Sequence, residues 1–195
     1  MTMLDDRIFY QSYEIIGGEK FMAPSAGAYH NRTLFKLGII IGQYTIQKNC
    51  GYVFTDGLDV HLPDGNLFKP DLIVVKKENA AIINWQKGIY GVPDMVVEVL
   101  SKSTRKKDLT VKKDIYESNG VKEYWIIDPY AKVVDVYVLR DGKFEFDDEY
   151  PKYDADEWSL LTDEEKAAVK SDIKVSIFDD LFVKVDDIFS WGYDD

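Results

Sequence analysis

Residues 93–116, PDMVVEVLSKSTRKKDLTVKKDIY, form the stretch that decides the fold. The run Met95–Leu100 has the length and apolar character of a buried strand, yet Glu98 lies inside it. The residues that follow have helical spacing, and Lys112 falls among them. A buried charge is costly unless it is paired or binds a metal. A strand and a helix that each contain such a charge therefore predict either a buried ion pair or a functional site.

The composition sets the class of protein. A chain of 195 residues is expected to form a single domain, here residues 1–195, with room for one insertion. Its apolar runs are too short to span a membrane, so no membrane partner is expected. Asp5, Asp6 and Arg7 interrupt any signal-peptide pattern, which favours a cytoplasmic location. Cys50 is the single cysteine and cannot form an internal disulfide.

The charge is unevenly distributed along the chain. Residues 147–195 contain 16 acidic and 5 basic residues, which account for the whole net charge of −11, whereas residues 1–146 are balanced. We predict that the acidic residues 147–172 form a surface insertion. Four basic residues could bind a phosphate backbone, although a solvated helix face would have the same composition. They are Lys102, Arg105, Lys106 and Lys107.

The order of the predicted elements indicates the architecture. Residues 9–24 resemble a hairpin around Gly17-Gly18, and residues 28–48 have helical spacing. Strands are predicted at 51–62, 68–75, 94–100 and 122–128, a helix at 105–119, a hairpin at 133–146, and a final strand or hairpin within 173–190. This order favours an α/β (α+β) fold with a mixed central sheet flanked by helices.

Two carboxylates are expected to meet at one end of this sheet. Glu98 shares a strand face with Val96 and Asp94, and Asp71 begins the earlier strand. If the two strands are neighbours, Asp71 and Glu98 converge, and their hard oxygens suit Mg²⁺ or Mn²⁺. Asp94 also follows a proline and is a rival first ligand, but it lies about 13 Å along the strand from Glu98.

A helical wheel gives the orientation of Lys112. With Asp108 at 0° and about 100° per residue, Lys112 lies near 40°, in the middle of an apolar arc. That arc contains Leu109, Val111, Ile115 and Tyr116. Lys112 is therefore predicted to point towards the sheet, with Asp108 one turn away as a partner.

Two interpretations of these charges remain open. In the first, Glu98, Lys112 and Asp108 form a buried ion-pair network with a structural role. In the second, Asp71 and Glu98 bind a divalent metal, and Lys112 steadies the attacking water or the charge of the phosphorane. The second would be metal-assisted hydrolysis of a phosphodiester. The chain has no Gly-rich phosphate loop, no Cys/His zinc spacing and no G-x-S-x-G element.

Several segments resemble the Uma-two family of endonucleases, in the PD-(D/E)XK, restriction-endonuclease-like superfamily. They are KPDLIVV, PDMVVEVLSKST, KKDLTVKKDIYESNGVKEYWIIDP and VVDVYVL. The resemblance covers about residues 10–146 and 173–190, and it implies a Mg²⁺-dependent nuclease fold. Pro70-Asp71 and Glu98 match the superfamily pattern, but Leu100 stands where its lysine is expected. Members of the family have that lysine on the following helix, the position that Lys112 occupies.

The supporting residues are less sharply defined by the sequence. His30 matches a histidine common in the family and could contact the site, although capping or core packing is an equal alternative. Glu14 or Glu19 could add a carboxylate from the amino-terminal hairpin, and Glu19 is taken as the supporting residue. The backbone carbonyl of Val99 could be a third metal ligand.

The hypothesis is a divalent-metal-dependent endonuclease that hydrolyses phosphodiester bonds in DNA. Its catalytic residues would be Asp71, Glu98 and Lys112, with Asp108 orienting the lysine. The alternative is a catalytically silent nuclease-fold protein that binds DNA or a protein partner. A homodimer is possible, because cutting both strands of a duplex usually takes two sites.

Overall fold

The computed structural model of the protein describes residues 13–22, 27–55, 57–101 and 108–190. In chain order the elements are β1 (Tyr13–Ile16), β2 (Glu19–Met22), α1 (Ala28–Lys48), β3 (Gly51–Thr55), β4 (Val60–His61), β5 (Leu67–Phe68), β6 (Leu72–Lys76), a 3₁₀ turn (Lys77–Ile82), β7 (Ile83–Asn84), β8 (Gly88–Tyr90), β9 (Met95–Val99), a π-helical turn (Asp108–Lys112) that continues into α2 (Lys113–Asn119), β10 (Glu123–Asp128), β11 (Val133–Arg140), β12 (Lys143–Pro151), α3 (Ala155–Leu160), α4 (Asp163–Ala168), β13 (Asp172–Lys174), β14 (Phe182–Lys184) and α5 (Val185–Phe189).

The main sheet is mixed, as predicted. Within the described residues its strand order is β12-β11-β10-β9-β6-β3. Strand β9 pairs in parallel with β10 and antiparallel with β6, so it lies in the middle of the sheet. All five of its residues are buried, which explains why its sequence is a nearly continuous apolar run.

The alternation of side chains along β9 separates two cores. Met95, Val97 and Val99 lie in a core that includes Leu37 and Ile41 of α1. Val96 and Leu100 point the other way, into a core shared with the second sheet. Glu98 has the parity of Val96, so its carboxylate enters the second core. Its charge must be matched there by other side chains.

A second sheet covers that face of the main sheet. Its strand order is β2-β1-β5-β4-β8-β7 within the described residues, and most of its strands are short. Its inward residues include Val60, Phe68 and Ile89, which are fully buried. The amino-terminal hairpin β1–β2 is present as predicted and joins this sheet where Ile15 pairs with Leu67. The hairpin thereby carries β1 to the edge of the second core.

The segment that contains Lys112 differs in part from the prediction. The described helix begins at Asp108 with a π-helical turn and ends before Gly120, which adopts the left-handed conformation expected at a helix end. Val111 was predicted to face inward but is 43% exposed. The buried face is centred on Asp108, Lys112 and Tyr116, which places Val111 about 100° from its middle.

The acidic carboxyl-terminal region also differs from the prediction of one surface insertion over residues 147–172. Residues 147–151 belong to β12 and pair with β11, so the exposed segment begins after the main sheet rather than at 147. Helices α3 and α4 follow, each with a capping box and without buried residues. Residues 185–189 form helix α5 and not a strand, because Val185, Ile188 and Phe189 share one buried helical face. Among the described residues no helix is long and apolar enough to cross a membrane.

Asp94 has a structural position that fixes the pairing of β6 and β9. Its buried carboxylate accepts hydrogen bonds from the Lys76 amide at 2.8 Å, from Asn79 Nδ2 at 3.1 Å and from Lys122 Nζ at 2.6 Å. These contacts lie at the opposite end of β9 from Glu98. Asp94 is therefore not brought into the candidate site. Of the two aspartates considered as the partner of Glu98, Asp71 is the one that lies near it.

Replacing Asp94 should weaken the fold without removing the candidate site. Asp94→Ala leaves three donors without their acceptor, so we expect the free energy of unfolding to fall by about 2–4 kcal/mol. Urea denaturation followed by circular dichroism measures the change. Asp114→Ala, which removes an exposed carboxylate from α2, is the control and should change stability by less than about 0.5 kcal/mol. Equal stability of the two variants would contradict this role.

Candidate active site

The register of the main sheet brings Asp71 next to Glu98. Leu72 of β6 pairs with Val97 of β9, so the residue that precedes Leu72 lies opposite the residue that follows Val97. Asp71 Oδ2 also accepts a hydrogen bond from the Val99 amide at 2.7 Å. The two carboxylates that the sequence paired therefore meet at one edge of the sheet. Val99 contributes its amide to this contact, and a role for its carbonyl stays a prediction.

Glu98 is held by two side chains from the helical segment. Its Oε1 lies 3.0 Å from Lys112 Nζ and accepts a hydrogen bond from Tyr116 Oη at 2.9 Å. Burial raises the pKa of Glu98 well above its usual range, Lys112 opposes this shift, and the nearby carboxylates of Asp108, Asp71 and Glu14 add to it. Glu98 is thus a carboxyl group whose proton affinity depends on which cation lies beside it.

Lys112 lies at the centre of the cluster. Its Nζ is 2.9 Å from Glu14 Oε1, 3.0 Å from Glu98 Oε1 and 3.3 Å from Asp108 Oδ1. Burial lowers the pKa of Lys112, but the three carboxylates outweigh burial and the net shift is upward. The ammonium group consequently stays charged at neutral pH. The structure places Lys112 towards the sheet, as the helical wheel predicted.

The amino-terminal hairpin contributes Glu14 to the cluster, and Glu19 lies outside it. Glu14 is buried on the inward face of β1, where its Oε1 also accepts a hydrogen bond from the Lys69 amide at 3.1 Å. Glu19 is exposed beside the turn of the same hairpin, so the choice of Glu19 over Glu14 was wrong. The sequence contains a signal for this difference. Glu14 lies two residues before the apolar Ile16 and shares its strand face, and both are buried, whereas Glu19 directly follows the Gly17-Gly18 turn.

Asp108 is held in place by a hydrogen bond to its backbone carbonyl. Tyr124 Oη donates a hydrogen bond to the Asp108 carbonyl at 3.0 Å, which ties the π-helical turn to β10. Tyr124 and Tyr116 pack with ring centroids 5.1 Å apart. The helical wheel places Tyr116 in the apolar arc, but it does not predict the hydrogen bonds of either hydroxyl group, because periodicity locates a side chain and not its partners.

His30 extends the site from helix α1. Its Nε2 lies 3.1 Å from Asp71 Oδ1, so the histidine is brought to the site rather than into the core. Burial lowers the pKa of His30, but the hydrogen bond and the charge of Asp71 outweigh this effect and the net shift is upward. The imidazole is therefore more readily protonated than a free histidine.

The site has more negative than positive side chains. Four carboxylates, Glu14, Asp71, Glu98 and Asp108, surround Lys112 and His30. Within the described residues, no three or more His, Cys, Asp or Glu side chains are arranged to hold a metal ion together. Mg²⁺ is nevertheless commonly bound by one or two carboxylates with water completing its shell. Asp71 and Glu98 fit such a cation by their hard oxygens and by the excess of negative charge.

The four basic residues proposed to bind phosphate lie outside the described residues. Lys102, Arg105, Lys106 and Lys107 fall in the segment 102–107, between Ser101 after β9 and Asp108. Their role stays a prediction.

Comparison with known protein families shows the family to which this chain belongs. A family model, Uma2, with the description "Putative restriction endonuclease", matches residues 10–163. The chain belongs to the Uma-two family. The matched range contains Glu14, His30, Asp71, Glu98 and Lys112. The resemblance inferred from the sequence is therefore confirmed at the level of the family, while the roles of these residues stay predictions.

A solved structure confirms the fold. The chain is similar to a protein described as a putative nuclease belonging to DUF820 from Anabaena variabilis, with a TM-score of 0.68 and 20% sequence identity. The match covers 92% of this chain and 90% of the other. The Uma-two chain thus has the restriction-endonuclease-like fold that was expected, a mixed sheet flanked by helices. No curated protein matches its sequence.

Removing the lysine should leave the three carboxylates uncompensated. We expect Lys112→Met to lower the free energy of unfolding by about 3–5 kcal/mol at neutral pH. Because the pKa of Glu98 is raised in the folded state, that state takes up a proton more readily than the unfolded chain. The stability that protonated Glu98 contributes is present below the ordinary pKa of a glutamate. It is lost as pH rises from that pKa through the raised pKa of Glu98 in the folded state. The loss caused by Lys112→Met should therefore be smaller at acidic than at alkaline pH.

Denaturation at a series of pH values, without divalent ions, measures this dependence. Lys113→Met is the control because Lys113 is the neighbouring residue and contacts the Tyr137 ring rather than the cluster. A stability loss for Lys112→Met that is independent of pH would show that Glu98 does not change its protonation.

Proposed function

We propose that this Uma-two protein is a divalent-metal-dependent endonuclease that hydrolyses phosphodiester bonds in DNA. The observation that carries the proposal is the convergence of Asp71, Glu98 and Lys112 from two strands and a helix at one edge of the sheet. The family description and the fold of the similar nuclease support it. Mg²⁺ or Mn²⁺ is the proposed cofactor, and DNA is the proposed partner.

Asp71 and Glu98 would hold the metal, with the Val99 carbonyl as a further candidate ligand. When bound, the cation would supply charge neutralisation at the phosphate and lower the pKa of water. It would also change the balance within the cluster, because Glu98 would no longer depend on Lys112 alone. The raised pKa of Glu98 supports a carboxylate that requires a nearby cation to stay ionised.

Lys112 is proposed to act as a cation and not as a base. The upward shift of its pKa keeps its ammonium group protonated, so it cannot accept a proton from water at neutral pH. It can donate hydrogen bonds to a phosphate oxygen and stabilise the charge that grows there. Asp108 and Glu14 would position the ammonium group, each within 3.3 Å of it.

His30 is proposed to orient Asp71. Its Nε2 engages one carboxylate oxygen while the Val99 amide engages the other, so the plane of the carboxylate is fixed from both sides. A protonated His30 would also add positive charge near an incoming phosphate. This role is one of positioning, because His30 contacts the Asp71 carboxylate.

A plasmid-nicking assay with Mg²⁺ or Mn²⁺ tests the proposal. We expect the wild type to nick supercoiled DNA and Glu98→Ala, Asp71→Asn and Lys112→Ala to lose about 10²–10³-fold in rate. Calorimetry should show that Asp71→Asn weakens Mn²⁺ binding. Glu19→Gln, an exposed carboxylate on the same hairpin as Glu14, is the control and should cut like the wild type.

Unchanged nicking by Glu98→Ala and Lys112→Ala would refute this site. Metal binding without cleavage would instead indicate a different substrate.

One observation favours the alternative, a silent nuclease-fold protein that binds DNA or a protein partner. Both oxygens of Asp71 and Oε1 of Glu98 already contact protein groups. A metal would have to replace or share these contacts. A wild-type protein that neither nicks DNA nor binds Mn²⁺ would favour this alternative. The homodimer stays a prediction, which the molecular mass in solution would test.

A further inference from the structure

Two exposed tyrosines form a pair beside the candidate site. The rings of Tyr29 and Tyr130 meet edge to face, with centroids 5.6 Å apart and an interplanar angle of 81°. Tyr29 is 45% exposed and Tyr130 is 61% exposed. Tyrosine is enriched at binding surfaces because its ring is apolar and its hydroxyl group is polar.

The pair lies at the same edge of the sheet as Asp71 and Glu98. Tyr29 directly precedes His30 in the first turn of α1, and His30 Nε2 is 3.1 Å from Asp71. Tyr130 follows the end of β10, whose Ile127 pairs with Val99 of β9. Tyr29 therefore lies on the helix that carries His30, and Tyr130 lies two residues after the strand that pairs with β9.

Helix α1 brings positive charge to one side of the pair, while the Asp128 carboxylate lies beside Tyr130 and accepts a hydrogen bond from its amide at 3.0 Å. Helix α1 has no acidic residue in its first turn, and over its whole length of 21 residues it contains basic residues but no acidic ones. The exposed Arg32 lies one turn after Tyr29. The amino-terminal end of a helix attracts anions.

We propose that Tyr29 and Tyr130 form a stacking site for an unpaired base of the nucleic acid whose phosphate lies at the catalytic cluster. This inference rests on the proposed nuclease function and specifies its substrate: single-stranded DNA or an unpaired end. Aromatic side chains bind bases of single strands by stacking, with little dependence on sequence. In a continuous duplex every base is already stacked on its neighbours, so the duplex offers no free face to the tyrosines.

Fluorescence anisotropy in EDTA tests the stacking site without cleavage. The probes are a labelled oligonucleotide as a single strand and the same sequence as a blunt duplex. We expect Tyr29→Ala and Tyr130→Ala each to weaken binding of the single strand by about 5- to 100-fold. Binding of the duplex should be unchanged, and Tyr29→Phe and Tyr130→Phe should bind like the wild type because the rings remain.

The control is Tyr90→Ala, which removes a tyrosine that is 47% exposed and stacked on His61 in the second sheet. It should bind both probes like the wild type, and thermal unfolding should show that all variants are folded. Three outcomes would overturn the stacking site. The alanine variants could bind the single strand like the wild type, or they could lose equal affinity for the duplex and the single strand. The wild type could also fail to bind the single strand at all.

The same variants separate this inference from the proposed function. Loss of nicking in Glu98→Ala with single-strand binding retained would support both. A wild type that binds the single strand through the tyrosines but, with Mg²⁺ or Mn²⁺, cuts neither that strand nor the plasmid would refute the nuclease and leave the stacking site in place.

Discussion

The contact between the Lys112 ammonium group and the carboxylates of Glu14, Glu98 and Asp108 is the constraint on which the candidate site of this protein depends. Its four members come from three parts of the chain: Glu14 from the amino-terminal hairpin, Glu98 from the central strand, and Asp108 and Lys112 from the helical segment after it. The charges are buried between the two sheets, where removing any one of them leaves the others without compensation. The cluster therefore requires the main sheet, the second sheet and the helix to be in place together.

A buried network of this kind is poor evidence for stability, because apolar residues of the same size would fill the space without the cost of desolvation. The proposed nuclease chemistry at the sheet edge would give the network a role other than stability. Asp71 joins the network through the register of β6 and β9, and His30 joins it through Asp71. The excess of carboxylates over cations is the feature that suits the divalent ion of that proposal.

Departures from simple patterns were the informative parts of the sequence. Glu98 broke the apolar run of β9 and Lys112 broke the apolar arc of the following helix, and both belong to the cluster. Elements with a clear local signal were predicted well: α1 and the Gly17-Gly18 hairpin are present. Errors arose where two structures suit one pattern. Residues 185–189 are apolar at positions that fit a strand or a helix, and the packing of Val185 and Ile188 decided for the helix.

The sequence by itself determined the family, the two-sided burial of β9, and the inward orientation of Lys112, because these depend on local periodicity and on the motif around Asp71 and Glu98. Only the tertiary structure decided that Glu14 and not Glu19 reaches Lys112, that Tyr116 donates to Glu98, and that His30 engages Asp71. The physical reason is the same in each case. Alternation along an element tells which face a side chain occupies, but its partner across the core depends on how separate elements dock. That docking depends on the burial of apolar side chains throughout both cores rather than on the few polar residues of the site.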